Sequence, residues 1–173
     1  MKNFLINSYF FLTAKRRKGV VIKFNGILSG AKNFVLLMPE AETDFQNALS
    51  VAEFLLSKKL HVTMVANNLA MHLIKDKSPY RFEEYFPTDK NKLGFPKLKL
   101  LHRLKIYSYD ALISLGEETS LFQKFCAEKL SAEVKIGSVM PGNSKIFSVQ
   151  ISINNDDSID FYKNFLNCLQ LLF

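Results

Sequence analysis

The chain has 173 residues, a net charge of +7 at neutral pH and 48% hydrophobic residues, including 16 phenylalanines. This length suits one domain with a full core, and the apolar content excludes an intrinsically disordered chain. The two cysteines, Cys126 and Cys168, both lie in helical apolar patterns. We therefore predict reduced thiols packed in the core rather than a disulfide or a metal site.

Near the amino terminus, an apolar run at residues 4–12 precedes a basic collar formed by Lys15, Arg16, Arg17 and Lys18. The run is too short to span a bilayer, and its charges follow the apolar stretch, which is the reverse of a signal peptide. Two interpretations stay open. The run is either a helix docked on the domain or an interfacial helix whose collar contacts an acidic membrane surface.

Strand and helix patterns alternate along the rest of the chain. The predicted strands are residues 20–24, 34–38, 61–65, 80–86, 111–115, 134–137 and 148–153. The predicted helices are residues 45–59, 69–74, 97–105, 121–130 and 158–173, with Thr119 or Ser120 as the cap of the fourth. We divide the chain into an N-terminal helix, collar and short strand at residues 1–32 and a single Rossmann-like α/β domain at residues 33–173. The predicted architecture is a three-layer sandwich around a mostly parallel sheet.

Polar side chains follow several predicted strands at the point where each strand ends. The first strand runs into Glu40, Glu42 and Asp44, the second into Asn67, and the fourth into Glu117 and Glu118. Because the carboxyl ends of parallel strands share one edge of a sheet, we expect these groups to form an acidic rim where a ligand binds. The turns lack the glycines that bring a backbone close to a pyrophosphate, so no nucleotide cofactor is expected there.

The acidic rim has two interpretations. Carboxylates accept hydrogen bonds from hydroxyl groups and act as general bases, which suits a sugar ligand. Acids near a helix N-terminus also stabilise the helix dipole, and Asp44 is a candidate N-cap in that interpretation. No spacing of ligands predicts a metal site, and the three histidines form no pattern typical of a catalytic triad.

The basic excess is concentrated in residues 90–105, where lysines alternate with leucines. The predicted helix there places Leu98, Leu101 and Leu104 on one face. Its lysines are either a solvated helix face or a contact for an anionic partner, such as an acidic lipid or a phosphorylated glycan. A nucleic-acid partner is not favoured, because no recognition motif accompanies the charge.

The segment Tyr109-Asp-Ala-Leu-Ile-Ser-Leu115, the helix after it and the strand Ser131-Ala-Glu-Val-Lys-Ile-Gly137 resemble the N-terminal, acceptor half of family 9 glycosyltransferases. These enzymes are the heptosyltransferases of lipopolysaccharide synthesis, and they are two-domain GT-B proteins. The resemblance implies that Asp44 matches their catalytic base toward the acceptor sugar, although Thr43 stands where the family has glycine. It also implies sugar-hydroxyl contacts at the remaining rim residues Glu40, Glu42, Asn67, Glu117 and Glu118.

In that family the second domain holds most of the nucleotide-sugar donor, and we expect this chain to lack that domain. The chain equally resembles a family of short uncharacterised bacterial proteins that have this half-fold alone. We therefore predict an acceptor-half domain that binds a glycan or lipid-linked sugar in cell-envelope synthesis and is not catalytic alone. The alternative is a non-catalytic interaction module at the inner membrane surface. We expect a cytoplasmic location, peripheral on that membrane in the second case, and leave the oligomeric state open.

Overall fold

The computed structural model describes residues 26–116, 119–152 and 158–173. The predicted N-terminal helix, the basic collar and the strand at residues 20–24 lie outside these residues. Within them, six strands form one sheet in the order β3-β2-β1-β4-β5-β6, and every neighbouring pair is parallel. The strands are β1 (Asn33–Leu37), β2 (His61–Asn67), β3 (Arg81–Tyr85), β4 (Tyr109–Ser114), β5 (Ala132–Ser138) and β6 (Val149–Ile151). This arrangement confirms the predicted Rossmann-like sheet.

Helices cover both faces of the sheet. They are α1 (Glu42–Ser57), α2 (Leu98–Leu104), α3 (Leu121–Lys129) and α4 (Ser158–Gln170), and a 3₁₀ segment, Asn68–Leu73, follows β2. The core on one face is built by α1 and α4, and the core on the other face is built by α2 and α3. The described part of the chain is therefore the three-layer sandwich that the alternation of patterns predicts.

Strand β1 shows why its apolar run is continuous. Its fully buried Phe34 and Leu36 join the α1/α4 core, whereas Val35 and Leu37 join the α2/α3 core. Successive side chains of a strand point to opposite faces, so a strand that is covered on both faces needs an apolar residue at every position. The central position of β1 in the sheet follows from this requirement.

Two local predictions are wrong. Leu98 is 73% exposed, while Leu100 joins Leu101 and Leu104 in the core. At about 100° per residue, Leu100 lies closer than Leu98 to the direction shared by Leu101 and Leu104, so the helix buries Leu100 instead. Helix α1 ends at Ser57, so Lys58 is its C-cap rather than a residue of its last turn.

The cysteine prediction is confirmed. Cys126 packs in the α2/α3 core and Cys168 packs against the α1/α4 core, and both thiols are free. The sheet between the two cores keeps the two sulfurs apart. Burial raises the pKa of the Cys126 thiol, which keeps it protonated and unreactive.

Strands β1 and β4 are joined at their amino ends by a side chain as well as by the sheet ladder. The Asp110 carboxylate accepts hydrogen bonds from the backbone N–H groups of Lys32 and Asn33, both at 2.8 Å. These two donors hold the pKa of Asp110 below its ordinary value of 3.8. The ionised carboxylate is therefore part of what fixes β1 beside β4.

The Asp110 contact predicts a pH dependence of stability. Because the folded pKa is lowered, the unfolded chain binds the proton more tightly, so stability falls as the pH falls through the acidic range. We expect the free energy of unfolding of the parent protein to drop more steeply between about pH 5 and pH 3 than that of Asp110→Asn. Urea unfolding at several pH values measures this, with exposed Asp160→Asn as the control for charge loss. Parallel pH profiles for the parent and Asp110→Asn would contradict the prediction.

Gly137 in β5 lies directly against a buried ring. A Cβ at this position would lie 3.0 Å from three carbons of Phe147, whose ring is only 2% exposed and has little room to move. We expect Gly137→Ala to lower the free energy of unfolding by about 1–3 kcal/mol, the usual cost of overpacking. Gly30→Ala is the matched control, because no atom lies within 4 Å of its Cβ position. Equal melting temperatures for the two variants would show that β5 and Phe147 yield without cost.

Candidate functional site

The topology of the sheet creates a crevice at the carboxyl ends of β1 and β4. From β1 the chain continues to β2 on one side, whereas β4 lies on the other side of β1 and leads to β5 beyond it. The connections that follow β1 and β4 therefore leave in opposite directions. In open parallel sheets, ligands bind at such a switch point.

A pocket of about 400 Å³ lies at this position, and we call it the switch-point pocket. It is bounded by the turn after β1, the first turn of α1, the end of β4 and the first turn of α3. Its lining residues are Pro39, Glu40, Ala41, Asp44, Gly116, Ser120 and Gln123. The structure thus brings Glu40 and Asp44, two of the predicted site residues, into one pocket.

The floor of the pocket is fixed by Gln123 of α3, which is 3% exposed. Its amide nitrogen donates hydrogen bonds to the carbonyl oxygens of Leu37 at 3.0 Å, Met38 at 3.3 Å and Leu115 at 2.8 Å. These carbonyls belong to the ends of β1 and β4. One side chain therefore satisfies the main chain of both strands where they diverge.

Ser120 and Gln123 also form the N-terminal cap of α3. The Ser120 hydroxyl accepts from the Gln123 backbone N–H at 3.2 Å, and the Gln123 carbonyl oxygen accepts from the Ser120 N–H at 2.9 Å. This reciprocal pair is a capping box, which confirms Ser120 as the cap and fixes the start of α3 against the strand ends. Gly116, with φ near 139°, makes the turn out of β4 in a region that favours glycine.

Asp44 is the third residue of α1 and is half-buried at the wall of the pocket. Its Oδ1 accepts a hydrogen bond from the Ser158 hydroxyl of α4 at 2.5 Å. The N-cap position of α1 is Ala41, so the prediction that Asp44 is itself an N-cap is wrong. Glu42 and Asp44 both lie in the first turn, where negative charge favours the helix dipole.

Glu40 is not an isolated acid. Its Oε1 forms an ion pair with Lys90, and it also accepts a hydrogen bond from the Tyr85 hydroxyl at 3.3 Å. The Lys90 ammonium lies 5.0 Å from the ring centroids of both Tyr85 and Phe122. Burial first, and the nearby Glu40 charge second, raise the pKa of Tyr85, so its hydroxyl stays protonated and acts as a donor.

The rim is therefore less acidic than the sequence predicts, because Lys90 balances Glu40. Glu42 is exposed at the start of α1 and does not line the switch-point pocket. Asn67 ends β2, where its side chain accepts from the Leu69 N–H at 3.2 Å and caps the 3₁₀ segment. Glu117, Glu118 and the collar residues Lys15, Arg16, Arg17 and Lys18 lie outside the described residues, so their predicted contacts stay predictions.

Sequence reasoning missed three residues that shape the pocket: Tyr85, Lys90 and Gln123. For Gln123 a signal was present, since Ser120 followed three residues later by glutamine is the pattern of a capping box. For Lys90 no local signal exists, because the lysine and its partner Glu40 are 50 positions apart in the chain. Only the packing of the segment after β3 against the end of β1 brings them together.

A larger groove of about 850 Å³ lies elsewhere, between α1, α4 and the segment that precedes β3. Its charged residues are Glu53, Lys75, Asp76 and Lys163. These charges are of both signs, and the groove is not at the carboxyl edge of the sheet. Topology therefore favours the smaller switch-point pocket as the candidate ligand site.

The chain was compared with known proteins. No protein-family model and no curated protein matches it. Among solved structures, the E. coli heptosyltransferase WaaC with ADP is similar, with a TM-score of 0.58 and 12% sequence identity. The match covers 80% of this chain and 46% of the WaaC chain. The chain therefore has the fold of about half of a heptosyltransferase-like GT-B protein, which confirms the predicted resemblance at the level of fold.

Two further observations bear on the class of site. Within residues 26–116, 119–152 and 158–173, no group of three or more histidine, cysteine, aspartate or glutamate side chains is placed to hold a metal ion. Among the helices of those same residues, none has the length and apolar character needed to cross a membrane. The chemistry available in the switch-point pocket is that of carboxylates, a hydroxyl and main-chain groups.

The contacts of Gln123 predict its importance for stability. In Gln123→Met, the carbonyls at the ends of β1 and β4 and the Ser120 N–H lose a partner in a buried place. We expect the free energy of unfolding to fall by about 2–4 kcal/mol, since each orphaned group costs about 1–3 kcal/mol. Chemical denaturation measures the loss, and exposed Gln170→Met is the control, expected within about 0.5 kcal/mol of the parent. A change below that margin for Gln123→Met would show that the strand ends do not depend on this amide.

Proposed function

We propose that this chain is a glycosyltransferase-like acceptor-half domain that binds a sugar in the switch-point pocket. The observation that carries the proposal is the half-buried Asp44 carboxylate at the wall of a pocket located where parallel sheets bind ligands. The fold, which is that of about half of a heptosyltransferase, supports a sugar-related ligand.

The groups that line the pocket suit a polyol. A carboxylate accepts several hydrogen bonds, and the Ser158 hydroxyl uses one oxygen of Asp44 and fixes the side chain. Ser120 adds a hydroxyl, and the Glu40–Lys90 pair adds an acceptor next to a donor. Sugar hydroxyls both donate and accept, so this mixture of groups suits them better than it suits a phosphate.

In this proposal Asp44 orients the acceptor hydroxyl and, by the family resemblance, matches the position of the base that would deprotonate it. The donor nucleotide-sugar would need a second domain or a partner chain, because this chain covers only 46% of the heptosyltransferase it is similar to. We therefore propose binding, and not sugar transfer, as the activity of the chain on its own.

A glycan or a lipid-linked sugar of the cell envelope is the proposed ligand class, and the cytoplasm is the proposed location. A non-catalytic interaction module at the inner membrane surface is the alternative, and it would be favoured if no sugar binds. The collar residues to which the sequence assigns that membrane contact lie outside the described residues.

The proposal is tested by titrating isotope-labelled protein with methyl hexosides and methyl heptosides and following backbone amide chemical shifts. We expect shifts at Ala41, Gly116 and Ser120. Asp44→Asn keeps the side-chain shape but removes the charge. It should weaken binding by about tenfold or more, because a hydrogen bond to a charged group contributes about 1.5–3 kcal/mol.

Asp160→Asn is the matched control, since Asp160 is the exposed third residue of α4 as Asp44 is the third residue of α1. It should bind as the parent does. Two results would count against the proposal. One is an absence of shifts at the pocket with every glycoside. The other is a large fall in the melting temperature of Asp44→Asn with intact binding, which would mark Asp44 as a structural residue only.

A further inference from the structure

Helix α2 and the segments next to it carry large apolar side chains on the outside of the protein. Leu98 and Ile106 are each 73% exposed, and Leu93 is 50% exposed. Three exposed lysines, Lys97, Lys99 and Lys105, lie among them in the sequence. We call these six residues the α2 surface.

The helix separates this surface from the core. Leu100, Leu101 and Leu104 are buried, while Leu98 and Lys99 lie on the other side of the same seven-residue helix. Isolated exposed leucines are ordinary on protein surfaces. Here, however, the two most exposed large apolar residues of the described chain begin and follow one short helix, and lysines accompany both.

Charge on the α2 surface has one sign. No aspartate or glutamate occurs between Lys90 and Ser108. The neighbouring acid Glu83 is engaged by Arg103, which also donates to the Glu84 carbonyl oxygen at 2.5 Å. The exposed lysines therefore face solvent without acids from their own segment.

The apolar tip at Leu93 is held in place by the main chain. The Asn91 side-chain oxygen accepts from the N–H groups of Leu93 at 2.9 Å and Phe95 at 3.1 Å. The Lys97 N–H donates to the Asp89 carbonyl at 2.7 Å, which closes the loop just before α2. The exposure of Leu93 and Leu98 thus belongs to a built turn followed by a helix.

We propose that the α2 surface docks the protein onto an anionic lipid bilayer. Aliphatic side chains surrounded by lysines fit the boundary between acyl chains and acidic headgroups, where both contributions add. A nucleic-acid partner would favour exposed aromatic side chains on which bases stack, whereas the α2 surface is aliphatic. The charge and the apolar side chains together favour the bilayer.

The position of the α2 surface relates it to the switch-point pocket. Because α2 connects β3 to β4 in a parallel sheet, its N-terminal end lies at the carboxyl edge, where Lys90 pairs with Glu40. A docked bilayer would therefore lie near the mouth of the proposed sugar site. The docking inference does not rest on sugar binding, because vesicles without any glycan test it alone.

The experiment is co-sedimentation of the full chain with vesicles of phosphatidylglycerol and phosphatidylcholine in equal parts, compared with vesicles of phosphatidylcholine alone. We expect binding to the anionic vesicles that weakens as salt rises. Replacing Lys97, Lys99 and Lys105 by glutamine should weaken the partition coefficient by about fivefold for each lysine. Leu98→Gln with Ile106→Gln should also weaken it by tenfold or more on the order of two buried side chains.

Matched controls exist elsewhere on the protein. Lys75→Gln, Lys77→Gln and Lys163→Gln together remove the same charge from exposed positions. Leu69→Gln with Leu171→Gln removes two side chains that are 64% and 71% exposed. Both control sets should partition onto the anionic vesicles more tightly than the corresponding α2 variants.

Three results would overturn the inference. The first is no binding to anionic vesicles at low salt. The second is binding that is lost equally in the control sets, or only when the collar residues Lys15 to Lys18 are replaced. The third is equal binding of a single-stranded RNA oligonucleotide that needs the lysines but not Leu98 and Ile106. Circular dichroism of each variant confirms that it is folded.

Discussion

The parallel pairing of β1 with β4 is the constraint on which the rest of the structure depends. These two strands are central in the sheet, yet the chain between them passes through β2, β3 and α2. The sheet ladder alone does not define where such strands diverge. Side chains hold both ends of the pair: the Asp110 carboxylate binds main-chain N–H groups at the amino ends, and the Gln123 amide binds carbonyls at the carboxyl ends. Each uses the group of opposite character to the main-chain atoms that are exposed there.

This arrangement decides which groups of the switch-point pocket are available to a ligand. Gln123 lines the pocket, but its amide is committed to the strand ends, so it builds the site and leaves recognition to its neighbours. Glu40 is balanced by Lys90, and its charge acts on a ligand only together with that of the lysine. Asp44 is oriented from α4 rather than from its own helix. The side chain best placed for recognition is thus held by an element far away in the sequence.

The fold was predictable from the sequence because each core element has a local signature. The unbroken apolar run of β1 is what a strand covered on both faces requires, and Ser120 with Gln123 matches a capping box. The site was predictable only in part. Strand ends could be located, and with them Glu40 and Asp44. The pairing of Glu40 with Lys90 and the bond from Ser158 to Asp44 join residues 50 and 114 positions apart, and no local pattern encodes such contacts. The face of α2 was mispredicted because three leucines in a row of four allow more than one apolar face.

The distribution of charge separates the two proposed surfaces physically. At the pocket, acids and a lysine largely cancel, and the carboxylate of Asp44 is left to direct hydrogen bonds. On the α2 surface, lysines stand without acids of their own segment, so the net charge of +7 is partly displayed away from the pocket. Because exposed charges are screened beyond about 8 Å at physiological salt, a ligand in the pocket senses mainly the carboxylates there, whereas a bilayer senses the lysines. One small domain can therefore present an uncharged polyol site and a basic, apolar docking face without either compromising the other.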